Sequence, residues 1–289
     1  MKRTPVLLSL LLALVVGAGH SGAAQPATLT YAIKGADTLW MHHYAPQGKA
    51  NGMTVVFVHG GSFTGGQPVN QKPFAEGLSR LGYNIFVLKY RLYLAGKSFG
   101  CETATAEKLK AVRTAVEDVH DATEFIVGHA PAYGVDTTRR FLAGSSAGAE
   151  TVLNLVFNPF RPKGVVAPCR YRGVLSFAGA VLDINTLTPQ AWVPLLLMHG
   201  TRDQLVPFGT AAHRFCLAAD VGWLMFFGSH TILEWAQKNK LPAVLYSFEG
   251  GGHEVSNYMF RRFAEMDAFM RRVVAGKPIR TTEIKSNKP

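Results

Sequence analysis

Six short apolar runs, at residues 53–58, 84–89, 140–143, 173–177, 193–199 and 243–248, constrain this chain more than anything else in it. They are rich in β-branched and other apolar residues with no polar face, the pattern of strands buried on both sides. Longer stretches with helical spacing lie between them. In one, from about 103 to 128, Leu109, Val112, Val116 and Val119 fall on a single helix face. Strands alternating with helices predict a mostly parallel sheet covered by helices. Segments 29–33 and 38–44 alternate apolar and polar residues and predict an antiparallel pair at one edge. The expectation is an α/β fold of about eight strands, followed by a polar, basic and loose tail at 276–289.

The start of the chain reads differently from the rest. Lys2 and Arg3 precede an apolar run over 6–18, too short to span a bilayer, and small residues follow at Ser21, Gly22, Ala23 and Ala24. This predicts a signal peptide over 1–24, cleaved after Ala23 or Ala24, and a secreted or periplasmic protein whose catalytic domain covers 25–275. No later run is long and apolar enough to anchor it in a membrane. A hydrophobic content of 48% against 17% charged residues belongs to a packed globular protein and excludes a disordered one. The formal charge is +11, but the basic residues are scattered, with no dense run interleaved with aromatics, so no nucleic-acid partner is expected. Cys101, Cys169 and Cys216 lack metal-ligand spacing. In an oxidising compartment they predict one disulfide and one leftover thiol, with the pairing open.

Gly144-Ser145-Ser146-Ala147-Gly148 directly follows the run beginning at Arg140 and directly precedes an apolar helical stretch. That is the strand–turn–helix context of a G-x-S-x-G nucleophile elbow, in which small residues permit a tight turn and the central serine, Ser146, is presented at a helix N-terminus. A serine hydroxyl is a weak nucleophile, so a histidine base and an acid to orient it must be found, in the order serine, acid, histidine. Of the histidines late enough, His253 follows a strand and the turn Glu249-Gly250-Gly251-Gly252, whereas His213 and His230 fall in stretches that read as surface helix or insertion. Asp203 lies in a loop leaving the run 193–199, at the same sheet edge as the elbow, and is preferred over Asp183 as the acid. His59-Gly60-Gly61-Ser62-Phe63 closes the third strand. The backbone N–H groups of Gly61 and Ser62, with that of Ala147, are the expected oxyanion hole, and His59 is expected to brace this loop.

Taken together, His59-Gly-Gly-Ser62, Gly144-Ser-Ser-Ala-Gly148, His199-Gly-Thr-Arg-Asp203 and Gly252-His253 resemble the α/β-hydrolase superfamily, in its carboxylesterase-like branch of hormone-sensitive-lipase-type and feruloyl or acetyl-xylan esterases. Tyr90-Arg91-Leu92 and Tyr133-Gly-Val-Asp136 look like that branch too, and the resemblance runs from about 54 to 269. It implies a serine esterase with the triad Ser146, Asp203 and His253, no cofactor, no metal and little or no cap domain. Many of these esterases carry aspartate at the position of Ser145 and a third glycine at that of Ser62; neither change removes a catalytic group, because oxyanion donors are backbone N–H groups. The surplus chain after Asp203, with Phe215, Trp223, Phe226 and Phe227, is expected to form either a flap over the acyl site or a helix packed by aromatics.

Two other functions use the same residues. A peptidase of the prolyl-oligopeptidase type shares the triad, but usually carries an aromatic after the nucleophile and an extra domain, where Ala147 stands here and no such domain fits. A catalytically silent binding protein on the same fold normally lacks a triad residue. Small esters or acyl groups on a polysaccharide are the expected substrates.

Overall fold

Strands whose side chains are buried at every position can only lie in the middle of a layered fold, and five such strands do. The computed structural model describes residues 25–158, 160 and 171–287. Its central elements are β3 (Thr54–Val58), β4 (Asn84–Leu88), β5 (Arg140–Ser145), β6 (Gly173–Phe177) and β8 (Leu195–Gly200), each buried throughout. With β1 (Ala27–Lys34), β2 (Asp37–Tyr44), β11 (Ala243–Glu249) and β12 (Thr282–Asn287), they form a nine-stranded sheet in the order β1-β2-β4-β3-β5-β6-β8-β11-β12. Pairing is parallel from β4 onward, and β1–β2 and β2–β4 are antiparallel, as the alternation in the sequence predicts for that edge.

Two apolar layers sandwich the sheet. On one face Ala111 and Val112 of α2 (Thr105–Gly128), Val152 and Leu153 of α3 (Ala147–Val156), and Ile232 and Leu233 of α4 (Ser229–Lys238) pack with Val56, Val58 and Leu142. On the other, Phe74 and Leu78 of α1 (Lys72–Arg80) and Met266, Phe269 and Met270 of α5 (Phe263–Val274) cover Phe57, Phe141 and Met198. Parallel strands send all their C-terminal ends to one edge of the sheet, and the loops that carry the predicted chemistry leave from that edge.

The expected sheet of about eight mostly parallel strands is present, with nine among the described residues, and two finer expectations are corrected. Much of the tail over 276–289 is not loose: β12 pairs in parallel with β11 from Val244↔Thr282 to Glu249↔Asn287. A strand at a sheet edge satisfies the backbone groups of its neighbour whatever its side chains, so a polar segment serves as well as an apolar one. The surplus after Asp203 is not a helix packed by aromatics: it supplies β9 (Thr210–Ala212) and β10 (Met225–Gly228), which join β7 (Ala180–Val181), from ahead of Asp203, in a small antiparallel sheet of order β7-β10-β9. Residues 1–24 and Cys169 lie outside the described residues. Among the described ones, no helix is long and apolar enough to cross a membrane.

The chain between β9 and β10 is stitched to the start of α2. Cys101 and Cys216 form a disulfide with a Cα–Cα distance of 5.3 Å. Gly222 N–H donates to the Cys101 carbonyl at 2.9 Å, and the buried Lys108 ammonium donates to Gly222 O at 2.6 Å. Closing a loop of 115 residues removes much entropy from the unfolded chain, and a bond of this kind stabilises by about 2–5 kcal/mol. Replacing both cysteines by serine is therefore expected to lower Tm by roughly 5–15 °C in a thermal melt; an unchanged Tm would contradict this role.

Candidate active site

The site begins with a turn that the chain can make at one sequence only. Between β5 and α3 the backbone of Ser146 sits at φ 53 and ψ −123, left-handed space that a non-glycine residue occupies at a cost of about 1–3 kcal/mol. The Ser146 N–H donates to Phe177 O at 2.8 Å, which ties the turn to the next strand. A Cβ at Gly144 would lie 2.3 Å from Gly148 O, and one at Gly148 would lie 2.0 Å from Val58 O, so both flanking positions exclude any side chain. The outcome is a serine whose Oγ projects over the sheet edge at the N-terminus of α3.

Its Oγ lies 2.8 Å from His253 Nε2, and His253 Nδ1 lies 2.8 Å from Asp203 Oδ2. Asp203 is buried and follows β8, and His253 follows β11, so three neighbouring loops of one sheet edge converge. The other carboxylate oxygen, Oδ1, accepts the N–H groups of Leu205 at 2.8 Å and Val206 at 3.0 Å. Burial opposes the charge on Asp203, but the imidazoles of His199 and His253 outweigh it and hold the carboxyl well below the usual carboxylate range. An ionised Asp203 accepts a hydrogen bond from the N–H at His253 Nδ1, leaving Nε2 as the acceptor of the Ser146 hydroxyl hydrogen.

Asp183, the rival acid, is occupied elsewhere: its carboxylate accepts the N–H of Asn185 at 2.9 Å and caps a short turn. His230 sits half-exposed on α4, 3.7 Å from Glu234, as a surface-helix residue should. His213 departs from the sequence reading, being buried rather than on a surface; its Nε2 lies 3.0 Å from Glu150 Oε1 but out of hydrogen-bond alignment.

The loop after β3 reaches the same edge. His59 is buried, donates from Nδ1 to Gly60 O at 2.7 Å and stacks on Tyr90, whose hydroxyl returns a hydrogen bond to His59 O, so it braces the loop. Ser62 and Phe63 take left-handed backbone angles, φ 54 and φ 59, and the buried Phe63 ring packs on Phe99. Among the described residues the backbone N–H groups of Gly61, Ser62 and Ala147 have no acceptor. Gly61 and Ser62 line a cavity of about 290 Å³ together with Ser146, His253, Leu205 and Gln71, while Ala147 is buried directly behind Ser146.

The sequence marks His199 only as part of a motif, yet its Nε2 lies 3.3 Å from Asp203 Oδ2 and 3.1 Å from Val206 O, while its Nδ1 lies 2.8 Å from Ser229 Oγ. Because Val206 O can only accept, Nε2 carries the hydrogen and faces the carboxylate. The signal was its position four residues ahead of Asp203 at a strand end. Gln71 also lines the cavity, with its buried Oε1 lacking a partner among the described residues. Cys101, Cys216 and Asp220 are close enough to group around a metal, but the disulfide uses both sulfurs.

Comparison with known proteins agrees with this architecture. The BD-FAE family model matches residues 41–156, from β2 through the serine turn to the end of α3. Among solved structures, the apo form of Thermogutta terrifontis esterase 2 superposes with a TM-score of 0.62 at 19% identity, covering 88% of this chain and 96% of that one. The same esterase phosphorylated by paraoxon gives the same values, and its propionate-bound form matches at 0.61 over 87% of this chain and 95% of that one, also at 19% identity. No curated protein sequence matches. The fold is that of the α/β-hydrolases, and the BD-FAE match spans the part of it that carries the serine turn.

The state of Asp203 makes the site sensitive to acid. Its carboxyl titrates lower in the folded chain than its unfolded value of about 3.9, so its charge adds stability above about pH 4 and that contribution drains away as the pH falls further. Thermal unfolding between pH 7 and pH 2 is expected to show a steeper loss of Tm below about pH 4 in wild type than in Asp203→Asn; parallel slopes would contradict the assignment.

Proposed function

We propose that this α/β-hydrolase is an exported serine esterase that cleaves carboxylic esters through Ser146, His253 and Asp203. The observation that carries the reading is the continuous chain of contacts from Ser146 Oγ to His253 to Asp203, 2.8 Å at each step, beside backbone N–H groups with no acceptor. The similarity to the BD-FAE family supports it, as does the likeness to an esterase solved with propionate and butyrate bound.

In this mechanism the Ser146 oxygen bonds to the ester carbonyl carbon while its proton passes to His253 Nε2. Asp203 holds the imidazole in the tautomer that accepts at Nε2 and stabilises the imidazolium that forms. The N–H groups of Gly61, Ser62 and Ala147 meet the oxygen that becomes negative, a contribution worth about a hundred- to a thousand-fold in rate per donor. The alcohol leaves with the proton from His253. Water, deprotonated by the same imidazole, then attacks the acyl-serine, and the acid is released as Ser146 recovers its proton.

The cavity beside Ser146, about 290 Å³, lies at the low end for small-molecule sites and suits short acyl groups. Small esters and acyl groups carried on a polysaccharide share that requirement. Export is part of the proposal: the leader-like residues 1–24 and the Cys101–Cys216 disulfide both favour an oxidising compartment outside the cytoplasm.

Hydrolysis of p-nitrophenyl esters from acetate to palmitate tests the reading. Expected are a preference for acetate to butyrate and a loss of at least about a thousand-fold in kcat for Ser146→Ala. An inactive wild type, or a Ser146→Ala variant as active as wild type, would overturn it.

A further inference from the structure

A cation stands next to the cavity with no ion pair among the described residues. Arg214 Nη2 donates to Ser62 Oγ at 3.0 Å, and Ser62 lines the cavity beside Ser146. The Arg214 N–H donates to the carbonyl of Leu205, another lining residue, at 2.9 Å. Beyond Ser62 its guanidinium has no described partner: Nη1 makes no hydrogen bond, and Nε is buried without an acceptor. Among the described residues it forms no ion pair. The fully exposed Glu102 feels its charge only through space, and the nearby Lys108 ammonium, already disfavoured by burial, is disfavoured further by it.

Such a guanidinium is unfavourable unless something completes its hydrogen bonding. The chain nevertheless goes to some length to hold it there. Arg214 and Phe215 take left-handed angles of φ 56 and φ 54, which tertiary structure must enforce. On one side His213 is buried between Phe99 and Phe226, and on the other Cys216 is tied to Cys101. The residues that line the cavity include no carboxylate, lysine or arginine, so Arg214, one hydrogen bond behind Ser62, is the nearest guanidinium to it that the contacts give.

We propose that Arg214 is a specificity-determining residue that binds a carboxylate on the substrate, so that this esterase acts on acidic esters. The inference rests on the esterase reading and deepens it. A carboxylate accepts hydrogen bonds from a guanidinium with matching geometry, and it would supply the anion this cation lacks. The carboxylate can belong to the acyl part or to the alcohol part of the ester, and substrates of each kind distinguish the two.

The test compares kcat/KM for two pairs at low ionic strength, using the full chain freed of its leader. p-Nitrophenyl hemiglutarate against p-nitrophenyl valerate probes the acyl side, and 4-acetoxybenzoate against its methyl ester probes the alcohol side. In one pair wild type is expected to prefer the acidic member by about tenfold to a hundredfold, chiefly through KM. Arg214→Gln brings that ratio toward one, Arg214→Glu inverts it and Arg214→Lys keeps part of it. Should the variants fail to fold, salt serves instead, since about 0.5 M NaCl should erode the wild-type preference. Ratios near one in both pairs, or a preference that survives both Arg214→Gln and salt, overturn the inference and leave the esterase standing. Failure to hydrolyse any of the four esters overturns both.

Discussion

At Ser146 the backbone leaves β5 in a conformation that side chains disfavour, and the surrounding structure is arranged to hold it there. The helix α3 starts so close to β3 that Gly148 nearly touches Val58 O, which also brings the loop after β3 against the serine. Relaxing the turn would withdraw the serine oxygen from the sheet edge and open a gap between α3 and β3. One local constraint therefore sets the placement of Ser146, the helix packing behind it and the position of the Gly61–Ser62 N–H groups together.

The rest of the site follows from strand order. β5, β6, β8 and β11 are consecutive and parallel, so loops distant in sequence end within hydrogen-bond reach of each other. Asp203 and His253, 50 residues apart, meet at 2.8 Å on that edge. A buried carboxylate there is tolerable only because its oxygens accept from Leu205, Val206 and His253, with His199 Nε2 3.3 Å away, and these together replace the water it has lost. The acid is thus kept charged and fixed by the loop that carries it, so the imidazole it orients has one available tautomer.

The centre of the fold and the turn at Ser146, with the loops that bring His253 and Asp203 to it, were legible in the sequence because they depend on short-range patterns. Strands buried on two faces must be apolar throughout, and a tight strand-to-helix turn must have small residues at 144 and 148. What escaped depends on distant pairing. β12 is a polar edge strand whose only requirement is the open side of β11, so its sequence, Thr282-Glu-Ile-Lys-Ser-Asn287, carries no strand pattern. The sheet of β7, β9 and β10 assembles from pieces separated by a full strand and loop. The pairing of Cys101 with Cys216 is set by how that insertion docks on α2. Arg214 and Phe215 adopt left-handed angles without being glycine or asparagine, so nothing in the sequence marks the bend that brings the guanidinium to Ser62.

The central claim is that His253 activates Ser146 in the folded chain. It is tested most directly by treating the native protein with a fluorophosphonate, which phosphonylates an activated serine, and locating the adduct by peptide mass spectrometry. One equivalent bound at Ser146, with labelling slowed at least about a hundred-fold in His253→Ala, is the expected result. No adduct, an adduct on another serine, or equal rates in the two proteins would contradict it.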